Sequence, residues 1–377
     1  MLTDKARIIR PTWVEIEEAA IRENLRQIKA LAGPRRKVMA VVKAEAYGHG
    51  SVKVAQLAMA EGIDWFGVAT PEEGIALRQA GVEANILVFA PFLPEQAAVY
   101  CRHNLVATIT TGDSAVALDR EAARAGRRMR VHVKVDTGMG RIGFLPEQAV
   151  AEIEKLTALP HLVVEGLYSH FATADEADLS YARRQLLTFQ RLVADLEKRG
   201  LRIPLKHLAN SGGLLNLAES YFDLVRPGLI IYGMYPSPWC HREKLALKPA
   251  FQLKTKVVHV KRVPAGTGIS YGQHYHTAKE TTIVTLPIGY ADGWSRKLSG
   301  KARVLINGEY YPVVGTICMD QCMVEVGDAP VHVGDEVVLI GRQGGKEITV
   351  EEVAAHLETI NYEVVCQISA RVPRVYV

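Results

Sequence analysis

A regular alternation of two kinds of segment, from about Thr12 to Tyr235, constrains the fold of this chain more than any other feature. Short β-rich segments alternate with amphipathic segments of helical spacing. The β-rich segments are Val38–Val42, Trp65–Ala69, Ile86–Phe89, Val106–Ile109, Val131–Val135, Val164–Tyr168, His207–Ala209 and Asp223–Val225. Eight strands alternating with helices over roughly 200–250 residues predict a (β/α)8 barrel of the TIM type. A doubly wound open sheet is the alternative, but no GxGxxG turn follows the first segment.

The amphipathic segments carry helix start and stop signals. They are Pro71–Ala80, Ser114–Ala125, Pro146–Leu156 and Tyr181–Arg199. Pro71 is followed by two glutamates, which favours a helix start because acids stabilise the positive end of the helix dipole. Glycines follow three of these segments at positions where a left-handed cap is expected: Gly81, Gly126 and Gly200.

The pattern changes after Pro236-Ser237-Pro238. Short β-rich runs follow at Leu253–Val258, Thr282–Leu286, Ala302–Ile306, Tyr311–Val314, Met323–Val326 and Glu336–Leu339. Asn307-Gly308 between two of them is a hairpin signal. We therefore predict a barrel over residues 12–240 and a mostly antiparallel β domain over 241–377, with one helix at Val350–Leu357. Residues 1–11 are candidates to pair with that β domain.

Composition excludes several classes of function. The 377 residues are 48% hydrophobic and 23% charged, and the net charge of +4 is not clustered as a nucleic-acid surface requires. The five cysteines lack framework spacing, which suits reduced thiols in the cytoplasm, and Cys318 and Cys322 have no partners that would complete a metal site. No apolar stretch has the length of a membrane span. We expect a cytoplasmic protein without a metal, a nucleic-acid partner or a membrane partner.

Chemically active side chains follow the predicted barrel strands, at the end where barrel enzymes have their active sites. The first strand ends at Lys43. Later strands lead into Lys134 and Arg141, into His170, into Ser211, and into Arg226 and Gly228. Partial burial favours the neutral amine of a lysine, which attacks carbonyls, so Lys43 is a candidate nucleophile towards an aldehyde substrate or pyridoxal 5'-phosphate (PLP). The alternative is a lysine that ends a strand and points to water.

Other candidates also have structural alternatives. The segment Ser211-Gly212-Gly213 is either a phosphate-binding site or an ordinary turn. His170 alone is more often a core histidine, whereas Arg226 precedes a proline and is therefore extended at a strand end. In the second domain, Gly266-Thr267-Gly268-Ile269-Ser270-Tyr271-Gly272 is either a tight hairpin or a loop that presents one tyrosine.

Several long motifs together resemble the alanine racemases. They are the stretch from Val38 through Lys43 to Gly50, the Tyr271 loop, Gly289-Tyr290-Ala291-Asp292-Gly293, Gly315-Thr316-Ile317-Cys318-Met319-Asp320-Gln321 and Asn361-Tyr362-Glu363. The resemblance extends from Pro11 to Arg374. It implies a PLP-dependent isomerase that interconverts L- and D-alanine and supplies D-alanine for bacterial peptidoglycan. It also implies a head-to-tail homodimer whose active sites are shared between subunits.

The resemblance implies a role for each matching residue. Lys43 would carry PLP and act as one base, and Tyr271 would act as the other. The phosphate would be surrounded by Tyr47, Ser211, Gly228, Leu229 and Tyr362. Arg226 would face the pyridine nitrogen, supported by His170 and His207. The substrate would meet Arg141, Met319, Asp320 and Tyr290. Lys134 matches a lysine that is often N-carboxylated and that steadies Arg141. Glu45 departs from the family, in which aspartate is more usual, and is expected to perturb only the turn after Lys43.

Three other functions remain open. A racemase of broader specificity would accept serine or larger residues. A PLP-dependent decarboxylase shares the fold, but its cysteine-containing motif is not found. A non-catalytic PLP carrier shares the barrel but would lack a second domain of roughly 130 residues.

Overall fold

The computed structural model describes residues 9–377, which form two compact units. The barrel unit contains residues 20–46 and 50–248, and the β unit contains residues 9–19, 47–49 and 249–377. The chain passes from the barrel unit to the β unit between residues 248 and 249, near the boundary expected between 240 and 241. The first strand, β1 (Thr12–Ile16), pairs within the β unit.

Eight parallel strands form the barrel, and all eight correspond to predicted segments. They are β2 (Lys37–Val41), β3 (Trp65–Val68), β4 (Asn85–Val88), β5 (Val106–Ile109), β6 (Met129–Lys134), β7 (Leu162–Tyr168), β8 (Leu205–His207) and β9 (Leu224–Val225). Their order is β8-β7-β6-β5-β4-β3-β2-β9. Backbone hydrogen bonds from Asp223 N to Lys206 O (3.0 Å) and from Arg226 N to Ala209 O (2.9 Å) join β9 to β8 and close the barrel. The predicted fold class is confirmed.

Helices connect the strands. They are α1 (Glu18–Ala32), α2 (Lys43–Gly48), α3 (Ser51–Ala60), α4 (Pro71–Gln79), α5 (Ala97–His103), α6 (Gly112–Arg124), α7 (Pro146–Thr157), α8 (Ser180–Lys198) and α9 (Ser211–Asn216). The predicted start of α4 is confirmed: Thr70 and Glu73 form a capping box around Pro71. Gly81 and Gly126 have φ of 82° and 61°, the left-handed values expected after a helix.

The β unit is built around one ten-stranded sheet. Its strands after β1 are β10 (Phe251–Lys256), β11 (His259–Val263), β14 (Thr281–Leu286), β15 (Arg303–Ile306), β16 (Glu309–Val314), β17 (Cys322–Gly327), β18 (Glu336–Gln343), β19 (Lys346–Ile348) and β20 (Arg374–Tyr376). A separate pair is formed by β12 (Gly268–Ile269) and β13 (Tyr275–His276), and the two helices are α10 (Val350–Leu357) and α11 (Asn361–Gln367). The sheet is antiparallel except where β1 meets β20.

The N-terminal segment belongs to this sheet. β1 pairs antiparallel with β10, from Thr12 opposite Thr255 to Ile16 opposite Phe251. All five β1 residues are buried, so both faces of the strand are covered, and its two edges pair with β10 and β20. Of the candidates at residues 1–11, positions 1–8 lie outside the described residues, whereas Arg10 donates two hydrogen bonds to the Asp292 carboxylate (2.5 and 2.6 Å).

The predicted hairpin is also present. Asn307 and Gly308 connect β15 to β16 with φ of 52° and 80°. Positive φ at both central residues suits the type I′ turns that match strand twist. Among the described residues, no helix is long and apolar enough to cross a membrane.

Candidate active site

Lys43 lies two residues after the end of β2, at the carboxyl end of the barrel strands where it was predicted. The turn that it begins, α2, is wound left-handed: φ is 50–55° at Ala44, Glu45, Ala46 and Tyr47. None of the four is a glycine, and this conformation costs about 1–2 kcal/mol per residue. Strain of this size persists only when surrounding contacts impose the conformation, and such contacts cluster at functional sites.

Two glutamates hold the strained turn in place. Oε1 of Glu73 accepts a hydrogen bond from Ala44 N (2.6 Å), while its Oε2 accepts from Ala69 N (2.6 Å). Oε2 of Glu45 accepts from both the backbone N–H (3.2 Å) and the hydroxyl (3.1 Å) of Ser51. Glu45, the departure from the family, therefore links the turn to the start of α3.

The loop after β6 is organised by Asp136. Its carboxylate accepts hydrogen bonds from the backbone N–H groups of Gly138 (2.9 Å), Gly140 (3.1 Å) and Arg141 (3.0 Å). Burial opposes ionisation, but these three bonds lower the pKa of Asp136 overall. The carboxylate is therefore ionised, and it fixes the backbone that carries the exposed side chain of Arg141.

Lys134, at the end of β6, is buried inside the barrel. Its Nζ donates to Val135 O (2.9 Å) and lies 5.4 Å from the centroid of the Tyr168 ring. Burial, followed by the charge of Arg226, lowers the pKa of this amine to about 7. A substantial fraction of this amine is therefore neutral at pH 7, and the neutral amine is the form that reacts with carbon dioxide.

Arg226 follows β9 and is buried. Nη1 donates to Nδ1 of His207 (2.7 Å), and Nη2 donates to Ser169 O (2.7 Å), Leu208 O (3.1 Å) and Nδ1 of His170 (3.3 Å). Burial lowers the pKa of Arg226 to about 10, so the guanidinium stays charged at neutral pH. Its hydrogen-bond partners are all neutral acceptors, and within the described barrel unit no carboxylate contacts it.

The lowered pKa of His170 reflects its burial and the basic side chains at this end of the barrel. Burial is the largest cause that lowers its pKa well below the ordinary value, and four basic side chains add to it: Arg226, Lys134, Arg141 and Lys43. His170 is therefore neutral and accepts from Arg226. Lys43, Lys134, Arg141, His170, His207 and Arg226 thus form one cluster at the carboxyl ends of the strands, as predicted.

Ser211 and Gly228 meet at the ends of β8 and β9. The hydroxyl of Ser211 accepts from the backbone N–H of Gly228 (2.9 Å), and the next residue, Leu229, is buried. A Cβ at Gly212 would lie 3.0 Å from the Ala174 backbone, so a glycine is needed for this close approach. The hydroxyl and the neighbouring backbone N–H groups form a small polar patch beside Arg226.

The remaining candidates lie in the β unit. Tyr271 is 73% exposed, and its carbonyl accepts from the Thr316 hydroxyl (2.8 Å). Two backbone bonds, from Tyr290 N to Cys318 O (3.1 Å) and from Ala291 N to Met319 O (3.0 Å), bring Tyr290 next to Met319.

Three further candidates in the β unit have defined neighbours. Asp320 accepts from Nη2 of Arg371 (2.7 Å). The rings of Tyr47 and Tyr362 lie 6.0 Å apart between centroids. The six β-unit candidates thus form small groups: Tyr290 with Met319, Tyr47 with Tyr362, and Tyr271 and Asp320 each with other partners.

Two family models match the chain: the alanine racemase N-terminal domain over residues 16–236 and the alanine racemase C-terminal domain over residues 250–376. The chain belongs to the alanine racemase family. Members of this family are PLP-dependent isomerases, and the decarboxylase and carrier alternatives are not favoured.

Individual alanine racemases agree with this assignment. The protein from Desulforamulus reducens is 49% identical over 369 residues, which cover 97% of this chain and 99% of that one. The structure from Clostridium difficile 630 superposes with a TM-score of 0.94 at 43% identity, covering 98% of this chain and 97% of that one. The structure from Bacillus anthracis, solved with bound L-Ala-P, has a TM-score of 0.92 at 39% identity. The match covers 98% of this chain and 96% of that one.

The barrel residues of this racemase fit PLP. Two charged guanidinium groups, Arg226 and Arg141, and two lysines lie around the neutral His170, and Asp136, the carboxylate described beside them, is held by three backbone donors. A buried guanidinium without an anion is costly, so the site favours a ligand that supplies negative charge. The phosphate of PLP would supply that charge beside Ser211 and Gly228, and its neutral ring nitrogen would offer Arg226 a hydrogen-bond acceptor.

Sequence reasoning missed residues that shape this alanine racemase site. Asp136 is one of them, although an aspartate closely followed by glycines, here Gly138 and Gly140, is a signal for a turn held by its side chain. Tyr168 stacks on His207 at 4.8 Å with an angle of 2° between the rings, and no sequence signal indicated it. The sequence indicates Glu73 only as part of a helix start. Its hydrogen bond with Ala44 N depends on tertiary structure.

Proposed function

We propose that this alanine racemase interconverts L- and D-alanine with two bases, Lys43 on one face of the bound substrate and Tyr271 on the other. The observation that carries the proposal is the position of Lys43, which follows a barrel strand and lies near the neutral His170 and the buried Arg226. We propose the same roles for the other family residues as their motifs imply.

Racemisation removes a proton from one face of Cα and returns it to the opposite face. When bound, PLP supplies an electron-withdrawing ring that makes the Cα–H bond acidic. Lys43, which would hold the cofactor, is tethered to one face, so a second base must serve the other face. We assign this role to Tyr271, the one residue with a phenol group in the β-unit motif from Gly266 to Gly272.

Arg226 would set the charge opposite the ring nitrogen. It donates hydrogen bonds, it keeps its own proton at neutral pH, and its position is fixed by neutral acceptors at the ends of β7 and β8. A fixed cation at that point disfavours protonation of the ring nitrogen. Ser211, Gly228 and Leu229, together with Tyr47 and Tyr362, would hold the phosphate.

Arg141 and the backbone of Met319 would bind the substrate carboxylate. The Arg141 backbone is held by Asp136, so the guanidinium projects from a rigid loop. A bidentate guanidinium also matches the geometry of a carboxylate. Asp320 and Tyr290 would line the entrance.

The exposure of the β-unit residues supports a homodimer. Tyr271 is 73%, Met319 52% and Tyr290 42% exposed, so three large apolar side chains of the proposed site face outward within one chain. A second copy that covers them would exclude water from the substrate. We propose a head-to-tail dimer in which Tyr271 completes the site of the other subunit.

Mixing two inactive variants tests this arrangement. Lys43→Ala and Tyr271→Phe homodimers should each lose nearly all racemisation, whereas a mixed dimer would contain one site with both changes and one unchanged site. Subunit exchange between equal amounts should therefore restore about a quarter of the wild-type activity. If the exchanged mixture stays inactive while mass spectrometry shows mixed dimers, Lys43 and Tyr271 do not belong to different subunits.

The cellular setting of the reaction is part of the proposal. We propose that the enzyme works in the cytoplasm and provides D-alanine for peptidoglycan. All five cysteines are free thiols, which suits a reducing compartment.

A further inference from the structure

We propose that His132 and Glu165, two residues inside the barrel unit that the family motifs do not include, act as positioning residues for Arg226 through His207. This inference rests on the proposed role of Arg226. It concerns a line of polar groups that begins at Arg226 and runs inward through the barrel to β6 and β7.

The line is defined by successive contacts between buried groups. Nη1 of Arg226 donates to Nδ1 of His207 (2.7 Å), and Nε2 of His207 lies 2.8 Å from Nδ1 of His132. Nε2 of His132 in turn faces Oε2 of Glu165 at 3.7 Å. Both atoms of this last pair are buried, and neither has a hydrogen-bond partner elsewhere in the described chain.

The charge of Arg226 determines where every proton in this line lies. A guanidinium only donates, so Nδ1 of His207 must accept and its proton must be on Nε2. That N–H then donates to His132, so Nδ1 of His132 must also accept and its proton must also be on Nε2. The second N–H points at the Glu165 carboxylate, the group best suited to stabilise it.

The backbone is shaped to make the last contact. In the pairing of β6 with β7, Val131 lies opposite Val164 and His132 lies opposite Gly166, so Glu165 is the extra residue of a β-bulge. A bulge redirects the side chain that it carries. Gly166 makes room for the imidazole, because a Cβ there would lie 2.3 Å from Cγ of His132.

The surroundings of the line keep its histidines neutral. Burial lowers the pKa of His132, and burial with the charge of Arg226 lowers that of His207 well below the ordinary value. Nη1 of Arg130 lies 3.5 Å from Oε1 of Glu165, which favours the ionised carboxylate at the far end.

The line has a consequence for the active site. His132 accepts the Nε2–H of the neutral His207, which leaves Nδ1 of His207 as one fixed acceptor for Arg226. Without His132, the Nε2–H of His207 would be buried without an acceptor, and the ring would no longer be restricted to one tautomer. A His207 protonated on Nδ1 would repel the Arg226 N–H and displace the guanidinium from its position.

Two substitutions at His132 separate positioning from packing. His132→Asn places an oxygen acceptor near the position of Nδ1, whereas His132→Phe keeps a ring of similar size without an acceptor. We expect His132→Phe to lower kcat about tenfold with a KM for alanine within about twofold of the wild type, and His132→Asn to recover most of the loss. Equal losses in both variants would overturn the proposal.

A second readout does not depend on catalysis. Histidine labelled with ¹⁵N in the wild-type holoenzyme gives the tautomer of each ring from long-range ¹H–¹⁵N correlations, with signals assigned by the His132 and His207 variants. We expect both residues to be neutral with the proton on Nε2, and the His207 signals to shift in His132→Phe. A proton on Nδ1 of either ring in the wild type would overturn the proposal, whatever the outcome for Lys43 and Tyr271.

Substitutions at Glu165 provide a third test, which disturbs the centre of the barrel less than substitutions at His132 do. Glu165→Gln keeps an oxygen acceptor for His132, and Glu165→Leu removes it. We expect only the leucine variant to shift the Nε2 signal of His132 and to lower kcat, by about threefold. If neither variant moves that signal, Glu165 is not part of the line.

Discussion

Nη1 of Arg226 lies 2.7 Å from Nδ1 of His207, so a permanently charged donor faces a histidine that must be neutral. No proton transfer between them is favourable at neutral pH. The pair therefore fixes the position of a cation beside the site where we place the cofactor ring.

Replacing this cation by an anion should impair catalysis. Arg226→Glu would favour protonation of the ring nitrogen and would also place a carboxylate next to neutral acceptors. We expect kcat to fall about 10²–10³-fold in both directions, with a changed absorbance spectrum of the bound cofactor. Arg226→Lys, which keeps the charge, should lose less. Activity within about twofold of the wild type in Arg226→Glu would show that Arg226 does not face the ring.

Lys43 should be the only lysine that holds PLP covalently. Borohydride reduction of the wild-type enzyme, followed by peptide mass spectrometry, should find the reduced adduct on Lys43. Lys43→Ala should lose both the adduct and detectable racemisation. The matched control is Lys155→Ala, which removes an exposed lysine paired with Glu152 and should change neither. A full adduct on another lysine in active Lys43→Ala would refute the assignment.

Carboxylation of Lys134 should depend on pH in a defined direction. Its pKa of about 7 means that the amine is mostly protonated at pH 6 and mostly neutral at pH 8, and only the neutral amine forms a carbamate. In ¹³C-bicarbonate, a carbamate signal in the ¹³C NMR spectrum should therefore grow from pH 6 to pH 8. It should be missing in Lys134→Met. A signal that persists in that variant, or that weakens as pH rises, would contradict the prediction.

The strained turn after Lys43 should depend on Glu73. Glu73→Ala removes acceptors for Ala44 N and Ala69 N together, so we expect the free energy of unfolding to fall by about 1–3 kcal/mol and racemisation to slow. Glu73→Gln keeps one acceptor oxygen and should be destabilised less. Denaturant titrations of the three proteins provide the comparison, and a stability of Glu73→Ala equal to the wild type would exclude this role.

Regular elements and the cluster at the strand ends could be predicted, because hydrophobic periodicity and the barrel rule depend on local sequence. Other features depend on contacts between distant residues. The sequence pattern places β1 in the barrel, but β1 pairs with β10, which lies about 240 residues later in the chain. The left-handed turn at Ala44 has no glycine to signal it. The bulge at Glu165 appears only when β6 and β7 are paired.

The two-base proposal is tested most directly by the exchange of the Cα proton in Tyr271→Phe. In single-turnover reactions in D₂O, this variant should still bind PLP and alanine. Exchange from L-alanine should be slower than in the wild type by about 10²–10⁴-fold, and exchange from D-alanine, which we assign to Lys43, should be affected far less. Small and equal losses with both enantiomers would contradict the account, because Tyr271 would then shape the pocket without acting as a base.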